Sequence, residues 1–217
     1  MTDVPFVEFE EDERLPLEIR TIFNWLFLDV IYLQSKWDFY LGLFGKDQNT
    51  DLLSELAPWS FNIIEESLRI DMTMIICRLS DPPKSRGNDN LSFSILIEKC
   101  SYIEGIEILF GKFKEACAPL KEHRNKLVAH KDLRSFIKPR EYPLPGINKD
   151  QIEMILELAT NILKKVLAHF GEEADISFHL ITQGGADTLI CYLEAGKNYY
   201  SEDHFSFPGS TLSNPKK

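Results

Sequence analysis

An arginine, an asparagine and a histidine stand within one short window, Lys121-Glu122-His123-Arg124-Asn125-Lys126-Leu127-Val128-Ala129-His130-Lys131-Asp132. A guanidinium is a planar fork of donors matched to phosphate oxygens, and imidazole is the side chain whose ordinary pKa lies near neutrality. Arg124 and His130 can therefore grip a phosphodiester and move a proton beside it without a metal ion. Apolar Leu127, Val128 and Ala129 would fasten the window to a core. Lys121, His123, Lys126, Lys131 and Arg134 add basic groups suited to the backbone of RNA.

The spacing raises a geometric problem. On an ideal α-helix six residues turn through about 600°, which leaves Arg124 and His130 roughly 120° out of phase and about 9 Å apart along the axis. Two arrangements would bring them together: a helix distorted after Pro119, or a two-fold dimer in which the Arg and His of both chains line one seam. The plainer reading is that His130 is a surface or capping residue and that Arg124 pairs with Glu122 or Asp132. Asp132 is also placed to hydrogen-bond or raise a nearby base. Arg78 and Asp81 read as a local pair at a helix end, or as supporting groups. No Gly-rich phosphate loop and no H-E-x-x-H is present, and His169, His179 and His204 lack partners at metal spacing, so neither metal nor cofactor is expected.

Arg124-Asn125, four further residues and His130 resemble the Arg-X4-6-His signature of HEPN domains. The segments Arg78-Leu79-Ser80-Asp81-Pro82, Asn90-Leu91-Ser92 and Ala129-His130-Lys131-Asp132 extend the likeness to the abortive-infection, AbiU-like branch, over residues 15 to 170. The resemblance implies an all-α, HEPN-type up-and-down helical bundle with a small C-terminal appendage. It further implies a metal-independent endoribonuclease of a toxin or phage-defence type, in which the ribose 2′-OH attacks the adjacent phosphate. His130 would be the general acid or base, Arg124 would stabilise the phosphorane, and Asn125 would orient His130 or a phosphate oxygen. Its expected partners are RNA, a second copy in a homodimer with a composite site, and a protein antitoxin or regulator. The same residues also suit a non-catalytic module that binds RNA, a nucleotide or a protein, and a purely structural helical dimer is a third reading. One departure is specific: HEPN toxins silenced by nucleotidylating antitoxins carry a tyrosine two positions after the His, where this chain has Asp132.

The chain of 217 residues is long enough to bury a sizeable core, and its 44% hydrophobic and 27% charged residues are those of a globular protein. A net charge of −10 opposes a general nucleic-acid coat. The charge is unevenly spread, however. Nine Lys/Arg face three acids between Lys112 and Arg140, a local excess of six positive charges. A solvated helix face with a basic C-terminal end is the alternative to a phosphate-binding surface. Cys77, Cys100, Cys117 and Cys191 show no C-x-x-C pairing and read as reduced, buried thiols of a cytoplasmic protein. The N-terminus lacks the pattern of a signal peptide, and no apolar run is long enough to span a bilayer, so no membrane association is expected.

The elements that must position the motif follow from caps and periodicity. Residues 1–14 read as a loose arm. Pro16 opens a long helix over 17 to about 44, closed by Gly45, with apolar residues on more than one face. Asn49, Thr50 or Asp51 caps a short helix, Pro58 opens one from about 59 to 79, and 81–90 reads as a mobile surface loop. Ser92 or Asn90 caps a helix to about 100, and a longer stretch over 102–133 carries the motif with Pro119 inside it. After a loop over 137–147, Asn148 with Gln151 marks the start of a helix to about 169. A strand over 176–180, a helix over 186 to about 199 and a disordered tail over 201–217 complete the expectation. Residues 171–200 thus form the appendage to a domain spanning 15–170.

Overall fold

The computed structural model describes residues 15–85, 87–128, 148–171 and 184–199. The expected arm, the end of the motif helix, the loop over 137–147, the strand over 176–180 and the tail lie outside the described residues. Among these residues are seven α-helices and a hairpin of two-residue strands, an all-α bundle. They divide into two compact units, one of residues 15–37 and 67–171, the other of 38–66 and 184–199.

Helix α1 spans Leu17–Phe44. Pro16 suits its entrance because a first turn has no use for the missing N–H; its carbonyl accepts the N–H groups of Ile19 and Arg20, both at 2.8 Å. Within the first unit, Ile19, Phe23, Leu26, Val30, Leu33 and Trp37 are buried at intervals of three or four residues, with Phe27 and Ile31 beside them. That stripe is wide, as the apolar excess predicts, yet Trp25 stays 51% exposed. Helix α3, Pro58–Leu79, contributes Met72, Ile75, Ile76, Cys77 and Leu79 to the same unit. Salt bridges Lys36–Asp71, at 2.5 Å, and Arg78–Asp29, at 2.6 Å, join α3 to α1.

After α3 the chain folds back rather than running as an open loop. Lys84–Ser85 pairs antiparallel with Asn88–Asp89 through a turn in which Gly87 takes a left-handed φ of 85°. Asn90 pins the base of this hairpin, its N–H reaching Pro83 O and its Nδ2 reaching Pro82 O, each at 2.8 Å. Helix α4, Phe93–Lys99, follows extended Ser92. Helix α5, Ile106–His123, begins four residues later than its periodicity predicts, because Gly105 sits at φ 73°, where a helix cannot continue. Helix α6, Lys149–His169, has the expected cap: Asn148 Oδ1 accepts the Gln151 N–H at 2.8 Å. It packs along α5, and Gln151 Nε2 ties its first turn to Ala116 O at 3.1 Å. The Phe93 ring meets Phe113 edge-on at 5.2 Å, joining α4 to α5.

In the second unit α2 spans Asp47–Leu56, starting two residues before the expected cap. Asn49 is inside the helix and buried, where its Nδ2 donates to Gly42 O at 2.7 Å. Leu43, Leu52, Leu53 and Phe61 form a core with Ala186 and Ile190 of α7, Ala186–Tyr199. The fit is close at Gly42, where an added Cβ would fall on the Ala186 methyl. Gly42→Leu is therefore expected to cost about 1–3 kcal/mol through overpacking, more than the roughly 1 kcal/mol of helix propensity gained by losing a glycine. A lower urea midpoint checks this, and an unchanged or higher one would mean that α7 does not depend on the contact.

Candidate functional site

The site begins where α3 ends. Ser80 Oγ bonds back to Ile76 O and Cys77 O, both at 3.1 Å, which closes the last turn and sends Asp81 out of the helix. Asp81 is fixed in turn: its N–H reaches Arg78 O at 3.1 Å, and its carbonyl accepts Ser94 Oγ at 2.7 Å. Across from it, α5 and the residue that follows it deliver two cations one turn apart. Lys121 Nζ donates to Ser80 O at 2.6 Å and lies 3.8 Å from Asp81 Oδ1. Arg124 Nη1 lies 3.5 Å from the same oxygen, while its Nε donates to Asn125 Oδ1 at 3.2 Å. All three charged side chains are 22–28% exposed, a depth at which charges act on one another more strongly than in open water.

Backbone winding changes at the motif itself. Residues Arg124–Val128 form a π turn directly continuous with α5. Such turns hold one residue more than an α turn and recur at functional sites. Ideal α-helix phase therefore does not hold across Arg124–Val128. The distortion falls five residues beyond Pro119, which α5 accommodates within its own span.

The structure brings together Lys121, Arg124 and Asn125, and adds Asp81 to them. Lys126 turns instead to Glu122, with Nζ 2.6 Å from Oε1 in an i,i+4 pair. His123 is partly buried: burial first, and the Arg69 charge second, hold its imidazole below its ordinary pKa. Among the described residues its buried Nδ1 has no hydrogen-bond partner. His130, Lys131, Asp132 and Arg134 lie outside the described residues. Of the two groups read as a local pair, Arg78 pairs with Asp29 and Asp81 faces Lys121 and Arg124. The helix ends between them, and each has its own ion-pair partner. No local signal identifies the partners of Asp81, because the farther of them, Arg124, comes from 43 residues downstream.

The neighbouring thiols are poor nucleophiles. Burial pushes Cys77 up to about 11, against the charge of Arg124, and Cys117 up to about 12, although Ser80 hydrogen-bonds it. Both are protonated at neutral pH, so thiolate chemistry at this place is disfavoured. The expectation of buried thiols holds for Cys77, Cys100 and Cys117, whereas Cys191 on α7 is exposed. Among the described residues, no group of three or more His, Cys, Asp or Glu could hold a metal ion, and no helix is long and apolar enough to cross a membrane.

The all-α bundle of the described residues is that of a HEPN-type module. A family model for HEPN domains described as AbiU2 matches residues 17–183, most of the chain, and the protein belongs to that family. No curated protein and no solved structure matches it.

Proposed function

We propose that the protein is a metal-independent endoribonuclease of the toxin or phage-defence kind, with Arg124 and His130 as its catalytic residues. The observation that carries this reading is the convergence of Arg124 and Lys121 at one half-buried corner of a chain whose net charge is −10. Two cations held there can receive a phosphate that the rest of the surface would repel. In this mechanism His130 takes the 2′-OH proton or protonates the leaving 5′-oxygen. Arg124 stabilises the charge that develops on the phosphorane, and Asn125, already bonded to the Arg124 Nε, steadies the guanidinium. Lys126, Lys131 and Arg134 bind the flanking backbone, with Lys121 beside the scissile phosphate. His123, held neutral near pH 7, offers a hydrogen bond rather than charge, and Asp132 supports His130.

A homodimer completes the proposed site. Ile70 and Met74, one turn apart on α3, are 39% and 43% exposed and offer apolar surface that a second copy would cover. A protein antitoxin or regulator and a cytoplasmic setting belong to the same reading. Incubating the purified chain with mixed RNA in EDTA tests it. Cleavage leaving a 2′,3′-cyclic phosphate or 3′-phosphate with a 5′-OH is expected, from a species of twice the 25.1 kDa chain mass by light scattering. RNA retained but left whole would favour a non-catalytic binding module, and RNA neither retained nor cut would sink both.

A further inference from the structure

We propose that Asp81 is a positioning residue that sets Arg124 and Lys121 as a two-cation clamp for a phosphodiester; this rests on the reading that Arg124 acts at an RNA phosphate. Three observations support it. The Asp81 carboxylate projects from a backbone held on several sides, by Arg78 O, by Ser94 Oγ, and by Asn90 at the adjoining Pro82 and Pro83 carbonyls. Both cations approach the same oxygen, Oδ1, so the carboxylate fixes their separation as well as their direction. Without an anion between them, an ammonium and a guanidinium one turn apart on a helix would splay by repulsion.

The distances set the strength of this hold. At 3.5 and 3.8 Å the contacts exceed the roughly 2.7–2.9 Å of a tight charge-assisted bond, so they orient without sealing. Each cation has its closer bond to a neutral oxygen, Lys121 to Ser80 O and Arg124 to Asn125 Oδ1. A guanidinium carries five N–H donors, and among the described residues only Nε and Nη1 are engaged. The trio keeps a net positive charge, with donors left over for a phosphate oxygen.

The test compares Asp81→Asn and Asp81→Glu in the full chain, using a labelled single-stranded RNA oligonucleotide of mixed sequence. Asp81→Asn removes an anion, so the RNA is expected to bind roughly two- to five-fold more tightly. Cleavage at saturating RNA is expected to fall roughly 10- to 100-fold, because the guanidinium is displaced from its working geometry. Asp81→Glu should fall between the two, with melting near that of the wild type. A residue needed only for folding would weaken binding, cleavage and melting together, and that result would overturn the proposal. Cleavage by Asp81→Asn or Asp81→Glu at the wild-type rate would overturn it as well. A protein that binds RNA without cutting it would defeat the nuclease reading separately, and the ¹⁵N–¹H signal of the Arg124 Nη1 group, the one that faces Asp81, then decides. It is expected to move in Asp81→Asn to the position of solvent-exposed arginines and to return towards wild type in Asp81→Glu; an unmoved signal would overturn the proposal.

Discussion

His130→Ala is expected to slow RNA cleavage by roughly two to four powers of ten, the usual share of a general acid or base, while the helical fold stays intact. Arg124→Ala should lose a comparable amount, through lost stabilisation of the phosphorane. The geometry gives reason to expect the fold to survive the second change. Arg124 is one of two cations at Asp81, so Lys121 remains to face that carboxylate when the guanidinium is removed. Both losses should be the same in EDTA and in magnesium, since the attacking oxygen belongs to the substrate and the proposed proton carrier is imidazole. A His130→Ala protein that cuts as well as wild type would end the nuclease reading.

Reversal of Lys126 and Lys131 to Glu is expected to abolish RNA binding at physiological salt. Wild-type binding should weaken steeply as salt rises, with a log–log slope of roughly −0.7 for each phosphate neutralised on a single strand. The Lys126–Glu122 pair does not protect against this, although its atoms are 2.6 Å apart. With side chains 43% and 45% exposed, it is an i,i+4 surface pair worth about 0.3–0.5 kcal/mol, which a phosphate can displace. Reversing Lys126 would leave two acids one turn apart, directed at the same strand. Fluorescence anisotropy across a salt series measures both effects. Unchanged affinity in the double reversal would place the RNA on another surface.

Helices were legible wherever a local signal ends them. Pro16 and Gly45 bracket α1, Pro58 opens α3, and Asn148 caps α6 through Gln151, all within a few residues of where the chemistry acts. Local reading failed where a side chain had a better distant partner. Asn49 has the composition of a cap, yet it is buried and bonded to Gly42 O. Residues 102–105 carry helical periodicity that Gly105 interrupts with a left-handed φ. At the candidate site, the cations were legible as residue types, and Asp81 as a supporting group but not its partners. Asp81 is three residues after Arg78 on the chain, and only the packing of α5 beside the end of α3 reveals that it faces Lys121 and Arg124. Pro119 warned of a distorted helix but not of its place, since the winding of a turn depends on which carbonyls its N–H groups reach.

The π turn at Arg124–Val128 also bears on how the family signature should be aligned. A turn closed between residues five apart is, in effect, a one-residue insertion absorbed without a loop. A relative that winds this turn as plain α-helix would need one residue fewer after its arginine to leave the chain heading in the same direction. Two such sequences would differ in length across the motif and still be superimposable in space. A one-residue difference in length across the signature can thus be read as a change of winding, and a gap placed inside this turn is sounder than one placed in a neighbouring loop.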